Sequence, residues 1–125
     1  MSDSTPRRNE ESIADSRSAP ASRLDSLFDV LTDQRRRFAL RCLSEYDTPM
    51  TLADLADEVA VREQEQPLTE IPAEDVMQVY LSLYHAHIPK LVDVGVAEYS
   101  QEQDLVYYEE SHRIERILDS LAADE

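Results

Sequence analysis

Three arginines stand side by side in the run DQRRRFALRCL, Asp33 to Leu43. A basic run offers guanidinium forks for phosphate contact, the first chemistry of nucleic-acid recognition. Successive helical residues lie about 100° apart, so Arg35, Arg36 and Arg37 fan around a helix and form no single patch. At least one must lie beside the core, its stem packed and its head paired with a carboxylate such as Asp29 or Asp33. Arg41 follows Arg37 by one turn and extends one side. Structural ion pairing and phosphate contact are both open to this run. A second group is the polar stripe Glu74, Gln78, Ser82 and His85, spaced i, i+4, i+8 and i+11 on a helix. Glutamine can meet adenine through two hydrogen bonds, and serine adapts to several bases. A merely solvated helix face would look the same, and Glu74 and Asp75 oppose close approach of a phosphate.

Other chemistries find little material. His85 and His87 are two apart and point to different faces of a helix, so they make no metal pair; His87 reads as a core or interface histidine and His112 as a residue near a helix start. One cysteine, Cys42, permits no intrachain disulfide and no multi-cysteine zinc site. It sits on an apolar face as a small core residue. No nucleophile, base and orienting group come together, so the chain is expected not to be an enzyme. The single glycine, Gly95, leaves no glycine-rich phosphate loop, and no cofactor is expected. No apolar run approaches a bilayer span and the N-terminus has no signal-peptide character, so a cytoplasmic protein without membrane contact is expected.

Charge is the dominant compositional fact: 27 Asp and Glu against 12 Lys and Arg, a net −15. Residues 1–23 balance Arg7, Arg8, Arg17 and Arg23 against Asp3, Glu10, Glu11 and Asp15, so the rest of the chain carries the whole excess. Lys90 is the only lysine. Such a charge destabilises a compact chain by self-repulsion unless salt screens it. At molar salt the Debye length is only about 3 Å. The composition is read as that of a halophile. Salt also decides what binding to DNA would require. Affinity falls by roughly 0.9 decade per phosphate contact per decade of salt, so about six contacts lose about seven decades between roughly 0.2 and 4 M. In a salt-rich cytoplasm a basic face would contribute little, and base contacts and shape would carry recognition.

Several elements must position these groups. Residues 1–23 hold too little apolar surface to offset their ordering entropy and are expected to form a disordered tail. Leu24, Leu27, Phe28 and Leu31 predict a short amphipathic helix. Thr32 is placed to cap a second helix running to about Glu45, with Asp33 in its first turn and Phe38, Ala39, Cys42, Leu43 and Tyr46 as its apolar stripe. Thr51 and Asp54 make a capping-box pattern before Leu52, Leu55, Ala56 and Val59. A polar loop of about eight residues holding Pro67 and Pro72 follows. A fourth helix then carries Gln78 to His85 until Pro89 ends or kinks it near Ile88, with Gly95 placed as a C-cap. Val96–Tyr99 and Leu105–Tyr108, separated by SQEQD, read as a β-hairpin over about 96–108, with Gln101 and Gln103 at its tip. Ile114, Ile117, Leu118 and Leu121 mark a last helix, about 112–122. The class is mainly α with a small β-hairpin, α+β.

The order of elements is that of a winged helix-turn-helix domain with an extra C-terminal helix. The residues carry a resemblance as well. LFDVLTDQRRRFALRCL is similar to the first core helix of many archaeal winged-helix regulators, TLADLADEV to their second, and SLYHAHIPKLVDVGVAEYS to their third running into the wing. Together they resemble a winged-helix family of unknown function common in haloarchaea, distantly similar to arsenical-resistance-repressor-type regulators, over about residues 24–110. The resemblance implies a domain over 24–123 with a role in transcription. The third core helix would lie in the major groove of double-stranded DNA. Gln78, Ser82 and His85 would then read bases, with Arg35, Arg36, Arg37, Gln101 and Gln103 as further contacts. Metal-sensing relatives use cysteine or histidine clusters, which lone Cys42 does not match. The fourth helix is apolar over more than one face. Met77, Leu81 and Tyr84, with Ile114, Ile117, Leu118 and Leu121, are therefore candidate interfaces, for a homodimer or for a protein partner of a module that does not bind DNA.

Overall fold

The computed structural model describes residues 26–46, 49–109 and 112–124. The tail expected over residues 1–23, and Leu24, lie outside these. The architecture is α+β: helices around a small antiparallel sheet. Helix α1, residues 26–31, buries Val30 and Leu31 and packs Leu27 against the core. Phe28, expected in the buried stripe, is 49% exposed. With neighbours Val30 and Leu31 both inside, the buried arc centres on positions 27, 30 and 31 and leaves Phe28 at its edge.

Helix α2, Gln34–Glu45, is capped by Asp33, not Thr32: the Asp33 carboxylate accepts from the Arg36 amide at 3.1 Å. Thr32 instead closes α1, its hydroxyl donating to the Asp29 carbonyl at 2.7 Å. Asp33 is the residue of this tight link with extended backbone angles, which is what an N-cap needs. Helix α3, Leu52–Gln64, starts as the sequence implies, with Thr51 Oγ1 accepting from the Asp54 amide at 3.1 Å. It buries Leu52, Leu55, Ala56, Val59 and Ala60. The following polar stretch contains a 3₁₀ turn, Leu68–Glu70, and tucks Ile71 into the core.

Pro89 does not end the next helix. Helix α4, Ala73–Ser82, passes through a π turn, Leu83–His87, into α5, Ile88–Asp93. A proline lacks the amide hydrogen and crowds the carbonyl four residues back. Here the Ile88 amide reaches back five residues to the Leu83 carbonyl, and Pro89 falls in the first turn of α5, where proline is tolerated. Val79, Leu83, Ile88 and Leu91 point inward, and the five-residue step from Leu83 to Ile88 is the imprint of the π turn. Gly95 (φ +81°) then stops the chain. The Val96 amide bonds the Leu91 carbonyl and the Gly95 amide the Val92 carbonyl, both at 3.0 Å, a Schellman motif.

Strands β2, Ala97–Ser100, and β3, Leu105–Tyr108, form the expected hairpin. A short strand not anticipated, β1, Met50–Thr51, pairs with β3 (Met50 opposite Val106), so the sheet has three strands in the order β1-β3-β2. It ties the start of α3 to the hairpin. Helix α6, His112–Asp124, lies against the domain: Leu118 is 2% exposed, and Ile117 and Leu121 pack on the core. Arg41 of α2 donates to the Leu118 carbonyl and approaches Asp119 at 3.5 Å. Leu118, expected as an interface residue, is buried within the chain's own core, and Ile117 and Leu121 are half-buried against it; the Ile114 side chain lies outside the described residues. Among the described residues no helix is long and apolar enough to cross a membrane.

Candidate functional site

The π turn that continues α4 meets the tip of the hairpin. Gln78 and His85 are exposed and Ser82 is half-exposed, one to two turns apart. At the tip, the exposed Gln101 donates its side-chain amide to the Tyr84 hydroxyl at 3.2 Å. Tyr84 packs edge-on against His85 (ring centroids 5.0 Å) and against Tyr99 of β2 (6.3 Å), and lies parallel to Tyr80 at 6.5 Å. Aromatic contact thus fixes the hairpin to the helix, and His85 and Gln101 share one shallow groove with Tyr99 and Asp93. The hairpin is braced internally. Tyr99 donates to Asp104 at 2.8 Å, a bond that pushes the phenol up to about 12. Tyr107 donates to Gln103 at 2.8 Å, so Gln103 is exposed but engaged within the hairpin. Asp104 takes a left-handed conformation, φ +54°, that lets the four-residue connection turn.

The three arginines lie on α2. Arg35 forms a two-pronged pair with Glu63 of α3, at 2.5 and 2.8 Å. The hydrogen bond to Glu63 raises its already high pKa. Arg36 donates to the Val30 carbonyl at 2.7 Å and to that of Asp29 at 3.5 Å, and meets His87 Nδ1 at 3.4 Å. Arg37 donates to the Leu31 carbonyl at 2.8 Å. Two of them therefore satisfy the carbonyl end of α1, where a cation is favoured. Asp29 and Asp33 were reasonable partners by sequence distance. The bonds of the arginines include those to Glu63, to His87 and to main-chain oxygens, because the arginines fan toward α1 and α3. All three are half-buried. Arg35, Arg36 and Arg37, expected as further DNA contacts, are half-buried and engaged with Glu63, His87 and the last carbonyls of α1, whereas Gln78 and His85 are exposed.

His87 links the two regions. It is half-buried, and burial lowers its pKa below the ordinary imidazole value; Asp33 works against this and Arg36 with it. Burial alone would raise Asp33, but the Arg36 amide and the charges of His87 and Arg36 outweigh it and hold the carboxyl low. Cys42 is fully buried and its thiol is pushed up to about 11 by burial, so it stays a protonated core residue at neutral pH.

Apart from Glu74, the other large exposed groups of α4 and the π turn are apolar. Met77 is 54% exposed, and Leu81 and Tyr84 also face solvent. The Tyr84–Gln101 link and the Arg36–His87 contact have no sequence signal, since both join residues far apart in the chain.

The chain belongs to a family described as Domain of unknown function (DUF7344), whose model matches residues 28–107. The matched span runs from Phe28 in α1 to Tyr107 in β3, so it contains both the arginine run and the α4 face. No curated protein and no solved structure matches the chain.

Proposed function

We propose that this protein is a winged helix-turn-helix regulator of transcription from a halophile, with α4 laid in the major groove of double-stranded DNA and the β2–β3 hairpin as its wing. The observation that carries the reading is the groove shared by His85 and Gln101, with the hairpin tip anchored through Tyr84, following exposed Gln78 and half-exposed Ser82 on the same helical rod. Two glutamines, a serine and a histidine supply donors and acceptors for base edges. The arginines of α2 serve as struts of the fold that hold α1 and α3 in place. With them engaged, the pull of phosphate charge is small, which suits recognition in concentrated salt where counterion release contributes little.

Chromatin immunoprecipitation of the tagged protein in a salt-accumulating host, beside a strain carrying Gln78→Ala, Ser82→Ala and His85→Ala, tests this. Sharp promoter peaks that vanish in the triple variant are expected. An absence of enrichment with both proteins well expressed would discard the reading. A second reading, a winged-helix module that docks a protein without binding DNA, draws on the exposure of Met77, Leu81 and Tyr84 on the same helix.

A further inference from the structure

A groove of about 460 Å³ runs between α3, the 3₁₀ turn and the start of α4. Its sides carry Ala53 and Ala56 on α3 and Ala73 on α4, three small residues on facing helices that leave a trough where larger side chains would close it. Leu68 and Met77 stand over it, 40% and 54% exposed. Large apolar side chains rimming an apolar trough are a recognised mark of an interaction surface. The walls are helices and a 3₁₀ turn whose amides are largely bonded internally, so an extended strand finds no ladder there. A helix, which satisfies its own backbone, is the shape such a groove takes.

The rim supplies the partner's charge. Asp54, Asp57 and Glu58 of α3, Glu70 of the 3₁₀ turn, and Glu74 and Asp75 of α4 lie along these elements. From Leu52 to Ser82 the only cation is Arg62, and it is already held by Glu45. Asp57 lines the groove itself. Burial, then the charges of Asp54 and Glu58, raise its pKa, so a cation placed beside it would relieve an existing strain of like charges. A second copy of the chain would set one acidic rim against another, and a phosphate backbone would meet the same repulsion.

We propose that this groove seats an amphipathic helix of a partner protein, its apolar face in the trough and lysines or arginines along its flanks. The inference stands apart from the DNA reading: it uses the groove between α3 and the start of α4, which Gln78, Ser82 and His85 do not line, and its test contains no DNA. Full-length protein is panned against a display library of helical peptides with randomised flanking charge, and the selected peptide is synthesised. It is titrated into the wild type, Met77→Glu and Leu68→Gln, at low salt and in molar potassium chloride. Both positions are exposed, and circular dichroism checks that the fold persists. Basic flanks in the selected peptides are expected, with binding weakened about tenfold or more by Met77→Glu, equivalent to at least about 1.4 kcal/mol. The added carboxylate would strengthen a purely electrostatic attraction, so the sign separates groove from general charge. Unchanged or tighter binding by both variants would overturn the proposal. Selection of acidic or neutral peptides, or of none, would do the same. So would a wild-type dimer in sedimentation that Met77→Glu dissolves, since the occupant would then be a second copy.

Discussion

The basic run of α2 and the polar stripe that begins on α4 both carry side-chain types suited to a nucleic acid, but they stand in opposite conditions. Arg35, Arg36 and Arg37 are half-buried and bonded to Glu63 and to the last carbonyls of α1. Gln78 and His85 are exposed, and their helix meets the rest of the domain through Val79, Leu83 and Ile88. Residue type alone would rank the arginines first. Placement reverses the order, because a guanidinium that closes a helix end and pairs across to a second helix has little left for a ligand. In an acidic chain, the few cations are most useful as struts.

This contrast can be broken at several points. The largest effect is expected inside the domain: Leu118→Ala should destabilise by about 2–4 kcal/mol, the range for emptying a buried leucine site. Urea unfolding measures it. A near-neutral result would mean that α6 packs elsewhere, and would reopen the dimer role for its apolar face. Next, Arg35→Ala should cost about 1 kcal/mol, between an exposed ion pair and a buried charged hydrogen bond. Pairing it with Glu63→Ala in a double-mutant cycle isolates the coupling. An arginine whose loss left stability untouched but abolished promoter occupancy would belong to the ligand surface after all.

A smaller effect is expected from acid. The folded-state pKa of His87 lies below the ordinary value of about 6.5. Above that pH both folded and unfolded imidazoles are neutral and the contribution is complete. As pH falls through about 6.5 toward the lowered value, the unfolded chain takes up the proton first and stability is lost. The stability difference between wild type and His87→Gln should therefore shrink on acidification from about pH 7.5 to 5, followed by urea midpoints. A difference that grew would reverse the sign assigned to the Arg36 contact. The smallest effects belong to the exposed stripe: Gln78→Ala and His85→Ala should each change stability by no more than about 0.5 kcal/mol. A larger loss would make the stripe part of the fold.

The sequence carried the helices well, because burial periodicity and caps are local. Thr51 before Leu52 and Gly95 after α5 act where their types say they should. The failures share a cause. Strand β1 is two residues, too short for any period, and exists only because β3 lies beside it. Thr32 and Asp33 are equally good caps as residue types, and the angles of the link between α1 and α2 decided between them. Glu63, the Val30 carbonyl and the Leu118 carbonyl answer arginines 6 to 77 residues away. Such pairings are set by how helices cross, which no single stretch records. Of the candidate surface, the stripe on α4 was legible from spacing, whereas its link to the hairpin through Tyr84 and Gln101 was not.

The π turn at Leu83–His87 acts as a phase adjuster between two halves of one rod. Upstream, the rod presents Gln78 to whatever it meets; downstream, it hands the chain to Gly95 and the hairpin. One residue corresponds to about 100° of rotation. Removing a single residue from this turn would restore an ordinary α-helical path and swing the Gln78 face by about that angle relative to the hairpin tip. The aim of the exposed face is therefore set by a residue count within the helix, at a place that no ligand need touch.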